Sequence, residues 1–223
     1  MSASRGTRRR ERGWRRPRFV PLTVEQVHAI ASTTAEPVRA AVVVAAGTGL
    51  RQGELFGLTA DRIDFMRREL RVDRQLWTPD AGGPVLKAPK SKNSYRTVAL
   101  STVVVEALAV HVGAFGPGQD GLVFHIDRRP VVRAMASKYI RTAATRAGLA
   151  GHGWHDLRHH HASVLMSAGV SPALVAERLG HDVKTLQTTY AHVIRNDDER
   201  VRSIVDETLG VSAEDWLRTE EDS

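Results

Sequence analysis

Two short segments of this chain alternate apolar and polar residues, whereas most of the remaining sequence repeats its apolar residues at helical spacing. The alternating segments cover residues 69–76 and 95–100. Side chains that alternate in this way suit strands with one buried and one exposed face. Pro79, the Gly82-Gly83-Pro84 run and the basic stretch 87–93 lie between the two segments. The sequence therefore predicts a small antiparallel sheet with a basic hairpin, set within a mainly α-helical chain of the α+β class.

Capping signals and apolar spacing predict the helices on both sides of this sheet. Thr23 and Gln26 form a capping-box pattern at the start of the first helix. The run Gly47-Thr48-Gly49 is expected to close a second, buried helix, and a short third helix is expected over 51–58. Beyond the sheet, the pattern predicts a short strand at 122–125 and helices over 101–113, 130–147, 155–168, 172–179, 183–193 and 198–209.

The chain of 223 residues has a net charge of +7, and this charge is unevenly distributed. Residues 1–18 hold eight Arg and one Glu without hydrophobic periodicity, which predicts a disordered Arg-rich arm or linker. Residues 19–196 are basic and are expected to form the folded domain, whereas 197–223 are expected to form a C-terminal helix and an acidic tail. A basic body with a basic arm favours a polyanionic partner such as nucleic acid, although many proteins carry such an excess without binding DNA.

Composition argues against several classes of protein. The chain has no Cys, so neither disulfides nor Cys-based zinc modules are available, which fits a reducing compartment. No apolar run reaches the roughly 18 residues of a membrane span. The basic N-terminus also lacks the apolar segment of a secretory signal. The sequence therefore predicts a soluble, cytoplasmic protein without a membrane partner.

A small set of residues near the C-terminal end combines cationic, hydrogen-bonding and phenolic groups. His155 and Arg158 are three residues apart and therefore share one face of a helix. His181 follows Leu179-Gly180, where one helix should end, so we expect it in the turn, directed toward the site that Tyr190 faces. Cationic groups around a phenolic oxygen are the equipment for covalent catalysis on a phosphodiester.

The same histidines also allow a zinc interpretation. His155 and His159 are four residues apart, as in the H-E-x-x-H helix of zinc proteases. Here Asp156 stands where that motif has its Glu base, and a helix directs His159, His160 and His161 in three directions. These departures argue against a zinc hydrolase, and we expect neither a metal nor another cofactor.

Taken together, the motifs resemble those of the tyrosine recombinase, or phage integrase, family. The segment 48–55, Thr-Gly-Leu-Arg-Gln-Gly-Glu-Leu, is similar to the first conserved box of this family. The H-x-x-R pair, the Leu-Gly-His run at 179–181 and Tyr190 are similar to the second box, and 88–97 resembles the β-hairpin that carries the family's catalytic Lys. The likeness runs from about residue 19 to 205. It implies the tyrosine recombinase (DNA breaking–rejoining) catalytic fold.

The resemblance also implies a function and partners. The reaction would be site-specific DNA recombination of the integrase type, in which strands are cleaved and rejoined through a 3′-phosphotyrosyl intermediate without metal or ATP. The partner would be double-stranded DNA, on which the protein would form a tetramer through its C-terminal helix. The apolar stripe of this helix would equally allow it to fold back on its own domain. A bacterial or phage-encoded protein of a mobile element is expected. A type IB topoisomerase would share this chemistry, but the boxes quoted above are more similar to those of integrases.

The family's catalytic roles can be carried over to the matching positions. Tyr190 would attack the scissile phosphate, and Arg51 and Arg158 would bind its non-bridging oxygens. His155 and His181 would hydrogen-bond the phosphate and assist proton transfer. These assignments follow from the resemblance.

A hairpin Lys would protonate the departing 5′-oxygen, and two candidates are present. Lys90, which precedes a small hydroxyl residue as the family's Lys commonly does, is preferred over Lys92. Glu54, one turn after Arg51, is better placed to brace the site than to do chemistry.

Family members usually place a core-binding domain before the catalytic domain, and residues 1–18 of this chain resemble the linker between the two. This leaves an alternative function open. The chain would then be a truncated, catalytically incomplete DNA-binding remnant, or a regulator of a full-length recombinase.

Overall fold

A computed structural model of the protein describes residues 20–79, 81–89, 91–194 and 198–210. The predicted arm at 1–18, Lys90 and most of the predicted acidic tail lie outside these residues. The helices are α1 (Val24–Thr33), α2 (Glu36–Thr48), α3 (Gln52–Phe56), α4 (Thr102–Phe115), α5 (Arg133–Arg146), α6 (Trp154–Ser167), α7 (Pro172–Leu179), α8 (Val183–Ile194) and α9 (Asp198–Leu209). The strands are β1 (Ile63–Asp64), β2 (Glu69–Val72), β3 (Gln75–Trp77), β4 (Val85–Lys87), β5 (Arg96–Ala99), β6 (His125–Ile126) and β7 (Arg129–Pro130).

This architecture confirms the mainly α fold class with small antiparallel sheets, and the predicted helices differ from the observed ones by only a few residues at their ends. The prediction of one continuous strand over 69–76 is wrong. Within it, β2 pairs with β5 in a three-stranded sheet of order β1-β2-β5, whereas β3 pairs with β4 in a separate hairpin. Burial alternates only within β2, and residues 73–76 are all half-buried, so the alternation ends where the pairing partner changes.

The break between the two sheets coincides with a charged cluster. Asp73 accepts hydrogen bonds from Arg62 Nε and Arg74 Nε, each at 2.8 Å. The strand expected at 122–125 is also displaced: β6 begins at His125, and Leu122 forms an isolated bridge with Thr59. Short pairings of this kind depend on neighbours that are distant in sequence, so the local pattern could not place them.

Helix α2 lies at the centre of the main apolar core, where it packs against α1, α4 and α6. Its buried face consists of fully buried small aliphatic residues, namely Val38, Ala41, Val42, Val44 and Ala45. A second apolar cluster forms where α6, α7 and α8 meet, and Tyr190 is one of its members. No helix in the described ranges is long and apolar enough to cross a membrane.

Two of the helix ends that face the second cluster use a left-handed residue that only Gly suits. Gly49 closes α2 with φ of 67°, and a Cβ there would lie 2.5 Å from Leu179 and 2.8 Å from His161. Gly180 closes α7 with φ of 64°, and a Cβ there would lie 2.8 Å from the Asn93 carbonyl oxygen. The ends of α2 and α7 both lie next to Arg158, whose guanidinium donates to the carbonyl oxygens of Gly49 and Leu179.

The β3–β4 hairpin rests directly on the backbone of α3. A Cβ at Gly57 would lie 2.4 Å from the Leu76 nitrogen and 2.8 Å from the Gln75 carbonyl carbon, so this close approach requires Gly. Within the hairpin, the Lys87 ammonium lies 3.7 Å from the centre of the Trp77 ring. The close approach at Gly57 places the hairpin against the helix that begins beside Arg51.

Candidate active site

Arg158 is the most deeply buried cation of the site. It lies on α6 with 2 % of its surface exposed. Its Nη1 donates to the carbonyl oxygen of Gly49, and its Nη2 donates to that of Leu179 at 2.7 Å. Burial and, secondarily, the nearby Arg51 charge lower the pKa of Arg158 to about 9, which still leaves the guanidinium charged at neutral pH.

Arg51 lies beside Arg158 at the start of α3. Its Nη2 donates to the carbonyl oxygen of Gly180 at 2.7 Å, one residue beyond the carbonyl that Arg158 binds. Its Nη1 donates to Glu54 Oε1 at 2.9 Å. The Arg51 side chain is 38 % exposed, so it is the more accessible of the two guanidinium groups.

Glu54 pairs with Arg51, as its spacing predicts, and also with Arg96. It accepts from the Arg51 backbone nitrogen at 2.9 Å and from Arg96 Nη2 at 2.8 Å. Burial alone would raise the pKa of Glu54, but the hydrogen bonds and charges of Arg96 and Arg51 outweigh it and lower the pKa. The carboxylate therefore stays ionised within the protein.

Arg96 is a site residue that the sequence analysis did not select. Its side chain is only 5 % exposed, and its Nε donates to the Arg178 carbonyl oxygen at 2.8 Å, which ties β5 to α7. The resemblance of 88–97 to the hairpin of the family selects only its lysines. The available signal in the sequence was that Arg96 lies on the same face of the predicted strand as the apolar residues Val98 and Leu100.

His155 and His181 complete the group around the two cations. His181 lies in the turn after α7, as expected, and its backbone nitrogen donates to the Ala176 carbonyl oxygen at 2.9 Å. Burial first, then the charges of Arg158 and Arg51, lower the pKa of His181 to about 4. Desolvation and Arg158 also lower the pKa of His155. Within the described part of the chain, the Nδ1 of His181 is buried without a hydrogen-bond partner.

Four of the six predicted site residues line one cavity of about 520 Å³. They are Arg51, His155, Arg158 and His181. Apolar walls come from α3, β3 and α6 through Phe56, Leu76 and Trp154. Two guanidinium groups and two imidazoles on apolar walls form a site for a phosphate-sized anion.

Tyr190 lies next to this cavity but is not part of its lining. It is 3 % exposed within the second apolar cluster, and its hydroxyl shares a hydrogen bond with His159 Nδ1. The ring of His159 in turn contacts that of His155 edge-on, with 4.3 Å between the ring centres. Burial raises the pKa of Tyr190 to about 12, against a smaller lowering effect of Arg158.

The hairpin lysines are placed differently. Lys90 lies outside the described residues, and Lys92 is exposed in a 3-10 turn over Lys92–Ser94. The choice between them therefore stays a prediction.

The three consecutive histidines of α6 point to separate partners. His159 contacts Tyr190, His160 Nδ1 shares a hydrogen bond with the Leu22 carbonyl oxygen at 2.6 Å, and His161 Nδ1 lies 3.0 Å from that of Ala46. Among the residues that the structure describes, no group of three or more His, Cys, Asp or Glu side chains could hold a metal ion.

We expect Glu54→Gln to lower the free energy of unfolding by about 3 kcal/mol, because it leaves the buried guanidinium of Arg96 without its counter-charge. Glu36→Gln is the matched control: its pair with Arg39 is 4.0 Å long, with the Glu36 side chain 75 % exposed. That change should cost less than about 1 kcal/mol. Urea denaturation of both variants measures the difference, and equal effects would contradict the bracing role.

Comparison with known proteins agrees with this geometry. The model of the phage integrase family matches residues 21–197. The chain is 33 % identical over 179 residues to the tyrosine recombinase XerC-like protein of Caldanaerobacter subterraneus subsp. tengcongensis, covering 70 % of this chain and 46 % of that protein. It is 27 % identical over 186 residues to the integrase of Salmonella phage P22, covering 79 % of this chain and 44 % of that protein. The chain thus spans about half the length of the curated relatives it matches.

A solved structure shows the same fold. The Tn1549 transposon integrase in complex with transposon right end DNA superposes with a TM-score of 0.71 at 22 % identity. The match covers 82 % of this chain and 66 % of that one. The extent of the family match and the identity to the XerC-like protein lead to one conclusion: the chain belongs to the phage integrase family.

Proposed function

We propose that this chain is the catalytic part of a site-specific DNA recombinase that cleaves and rejoins strands through a 3′-phosphotyrosyl intermediate. The observation that carries the proposal is the cavity in which Arg51, Arg158, His155 and His181 meet, with Tyr190 reached from it through one pair of histidine rings. The curated relatives, which are named as recombinases or integrases, support the same function.

In this proposal the two arginines bind the scissile phosphate. Each guanidinium has five N–H donors, and in each the described bonds engage only some of them. The carbonyl oxygens of neighbouring residues 179 and 180 hold the two groups side by side. Because they are fixed before the substrate arrives, they stabilise the negative charge of the pentacoordinate transition state without reorganisation. His155 and His181 add hydrogen bonds to the same oxygens.

The proposed chemical step conserves the energy of the broken bond. The Tyr190 oxygen forms a bond to phosphorus as the phenol loses its proton, and the bond from phosphorus to the 5′-oxygen breaks. The hairpin Lys, which we assign to Lys90, protonates the departing oxygen. Attack by a 5′-hydroxyl reverses the step and releases Tyr190, so that rejoining needs no ATP. Every protein group that takes part in this proposed step is a side chain of this chain.

Double-stranded DNA is the proposed partner. The Tn1549 transposon integrase was solved in complex with transposon DNA, and the basic body of the present chain suits the same polyanion. We therefore propose a role in DNA integration by a phage or mobile element, within the bacterial cytoplasm. The alternative, a catalytically incomplete DNA-binding remnant or regulator, would use the same basic surface without forming a covalent bond.

Formation of a covalent adduct distinguishes the recombinase from the DNA-binding remnant or regulator. The purified chain, mixed with supercoiled plasmid without metal and stopped with SDS, should relax the plasmid or form a covalent protein–DNA adduct. Tyr190→Phe should abolish both, because the phenolic oxygen is the nucleophile. Tyr95→Phe, which alters an exposed tyrosine, is the matched control and should retain them. DNA binding without an adduct would favour the remnant, and an adduct that persists in Tyr190→Phe would contradict the assigned nucleophile.

Substitution of the two hairpin lysines identifies the general acid. Lys90→Ala should slow adduct formation by about 10²–10⁴-fold, the usual contribution of a positioned acid. A substrate with sulfur in place of the bridging 5′-oxygen should restore the rate, since a thiolate leaves without protonation. Lys92→Ala is the control and should behave like the parent chain on both substrates. The opposite pattern would assign the role to Lys92.

We also propose that the chain assembles as a tetramer on DNA through its C-terminal segment, 197–223. The supporting observation is the apolar stripe of α9, whose side chains Val201, Ile204, Val205 and Leu209 are 46–56 % exposed. A stripe at helical spacing on an exposed helix fits a groove on a neighbouring protomer. Residues 19–196 would form the catalytic domain that provides the groove.

The corresponding experiment measures the mass of the protein–DNA complex. Ile204→Asp should convert the tetramer to smaller complexes by placing a charge in the interface. Val110→Asp, on α4 and 74 % exposed, is the matched control and should leave the mass unchanged. A tetramer that withstands Ile204→Asp would exclude α9 as the connecting element.

A further inference from the structure

The contact between His159 and Tyr190 has no place in the proposed chemistry so far. We infer that His159 is a positioning residue, which holds the Tyr190 hydroxyl in a resting position outside the phosphate cavity until DNA occupies that cavity. The inference rests on the proposed function for its consequence in catalysis. The hydrogen bond between His159 and Tyr190, called the hold below, is present in the protein without DNA, so it can be tested separately.

The hold is a hydrogen bond between two neutral groups. Burial, with the nearby His155, lowers the pKa of His159 to about 4, whereas burial raises that of Tyr190 to about 12. At neutral pH both groups are therefore uncharged, and an ordinary hydrogen bond joins the His159 Nδ1 to the phenolic oxygen. The ring centres lie 5.7 Å apart with the planes inclined at 54°, so the contact is made through the polar atoms rather than by stacking.

The held position is a resting one, because the nucleophile must meet a phosphate that the two arginines bind. Arg51, His155, Arg158 and His181 line the cavity, and Tyr190 does not. With 3 % of its surface exposed, Tyr190 is covered by the cluster formed by α6, α7 and α8. The hydrogen bond from the Tyr190 hydroxyl to His159 must open before this oxygen can form a bond to a phosphate in the cavity.

The backbone offers the point at which Tyr190 can move. Helix α8 departs from helical geometry at Tyr190 itself, where φ is −109° and ψ is 15°. The cavity is in contact with the hold, since His155 lines the cavity and its ring lies edge-on against that of His159. A phosphate bound at His155 therefore acts on the residue that holds the hydroxyl. We infer that this contact links occupation of the cavity to release of the nucleophile.

The first test observes the hold directly, without DNA. The chain has three tyrosines, so Tyr95→Phe with Tyr139→Phe leaves Tyr190 as the only one. 3-Fluorotyrosine incorporated into this background gives a single ¹⁹F resonance that reports the environment of the hydroxyl. His159→Leu removes the hydrogen-bonding atom. His159→Asn introduces a side chain similar to Leu in size and branching, but it keeps a polar atom near the Nδ1 position.

We expect the ¹⁹F resonance to shift in His159→Leu and to stay near the parent position in His159→Asn. Acetylation of the phenol by N-acetylimidazole should accelerate on the order of fivefold in His159→Leu only, the effect of losing one ordinary hydrogen bond. Urea denaturation of both variants controls for loss of the fold. If the fold is intact and neither readout separates the two variants, the hold is refuted.

The second test asks what the hold does in catalysis. With a nicked DNA substrate that traps the covalent adduct, His159→Leu should form the adduct on the order of fivefold faster than the parent chain, and His159→Asn should resemble the parent. A slower His159→Leu that is rescued in His159→Asn would overturn the resting role and make His159 part of the chemical step. If the parent forms no adduct while the ¹⁹F shift is observed, the proposed function fails and the hold stands.

Discussion

The arrangement of this site depends on the burial of one guanidinium group. Arg158 is surrounded by protein, and its charge is tolerated because it donates to carbonyl oxygens at the ends of α2 and α7. Burying a charge without such partners would be prohibitive. Helix C-termini are suited to this task because their last carbonyls lack partners within the helix and carry partial negative charge. The same side chain that would bind the phosphate in the proposed mechanism thus also joins two helices that are distant in sequence.

Around Arg158, the carboxylate of Glu54 offsets part of the positive charge of the arginines. Glu54 is shared by Arg51 and Arg96, and Arg96 extends the network to α7 through the Arg178 carbonyl oxygen. One negative charge therefore offsets part of the repulsion among three guanidinium groups while leaving an excess of positive charge at the cavity. This excess is what an anionic substrate requires. A second buried carboxylate would have halved this excess.

The fold class could be predicted from local patterns, because capping residues and helical spacing lie within short segments. The residues that line the cavity were predicted from the resemblance of short motifs to those of the family. Gly180 followed by His181 is an example: a helix stop fixes where the imidazole lies. What could not be predicted depends on contacts between distant segments. The break after Val72, the role of Arg96 and the contact of His159 with Tyr190 each involve a partner at least 11 residues away, which no local period records.

The membership of Tyr190 in an apolar cluster has a consequence for how such a protein can adapt. The side chain that reacts in the proposed mechanism is also one that stabilises α8 against α6 and α7. Any movement that brings its hydroxyl out of the cluster must expose apolar surface, at a free-energy cost of about 25 cal/mol per Å². Substitutions that pack this cluster more tightly would then raise thermal stability and slow the reaction together. Homologues from hot environments would have to stabilise the fold elsewhere, for instance around α2, in order to keep their turnover.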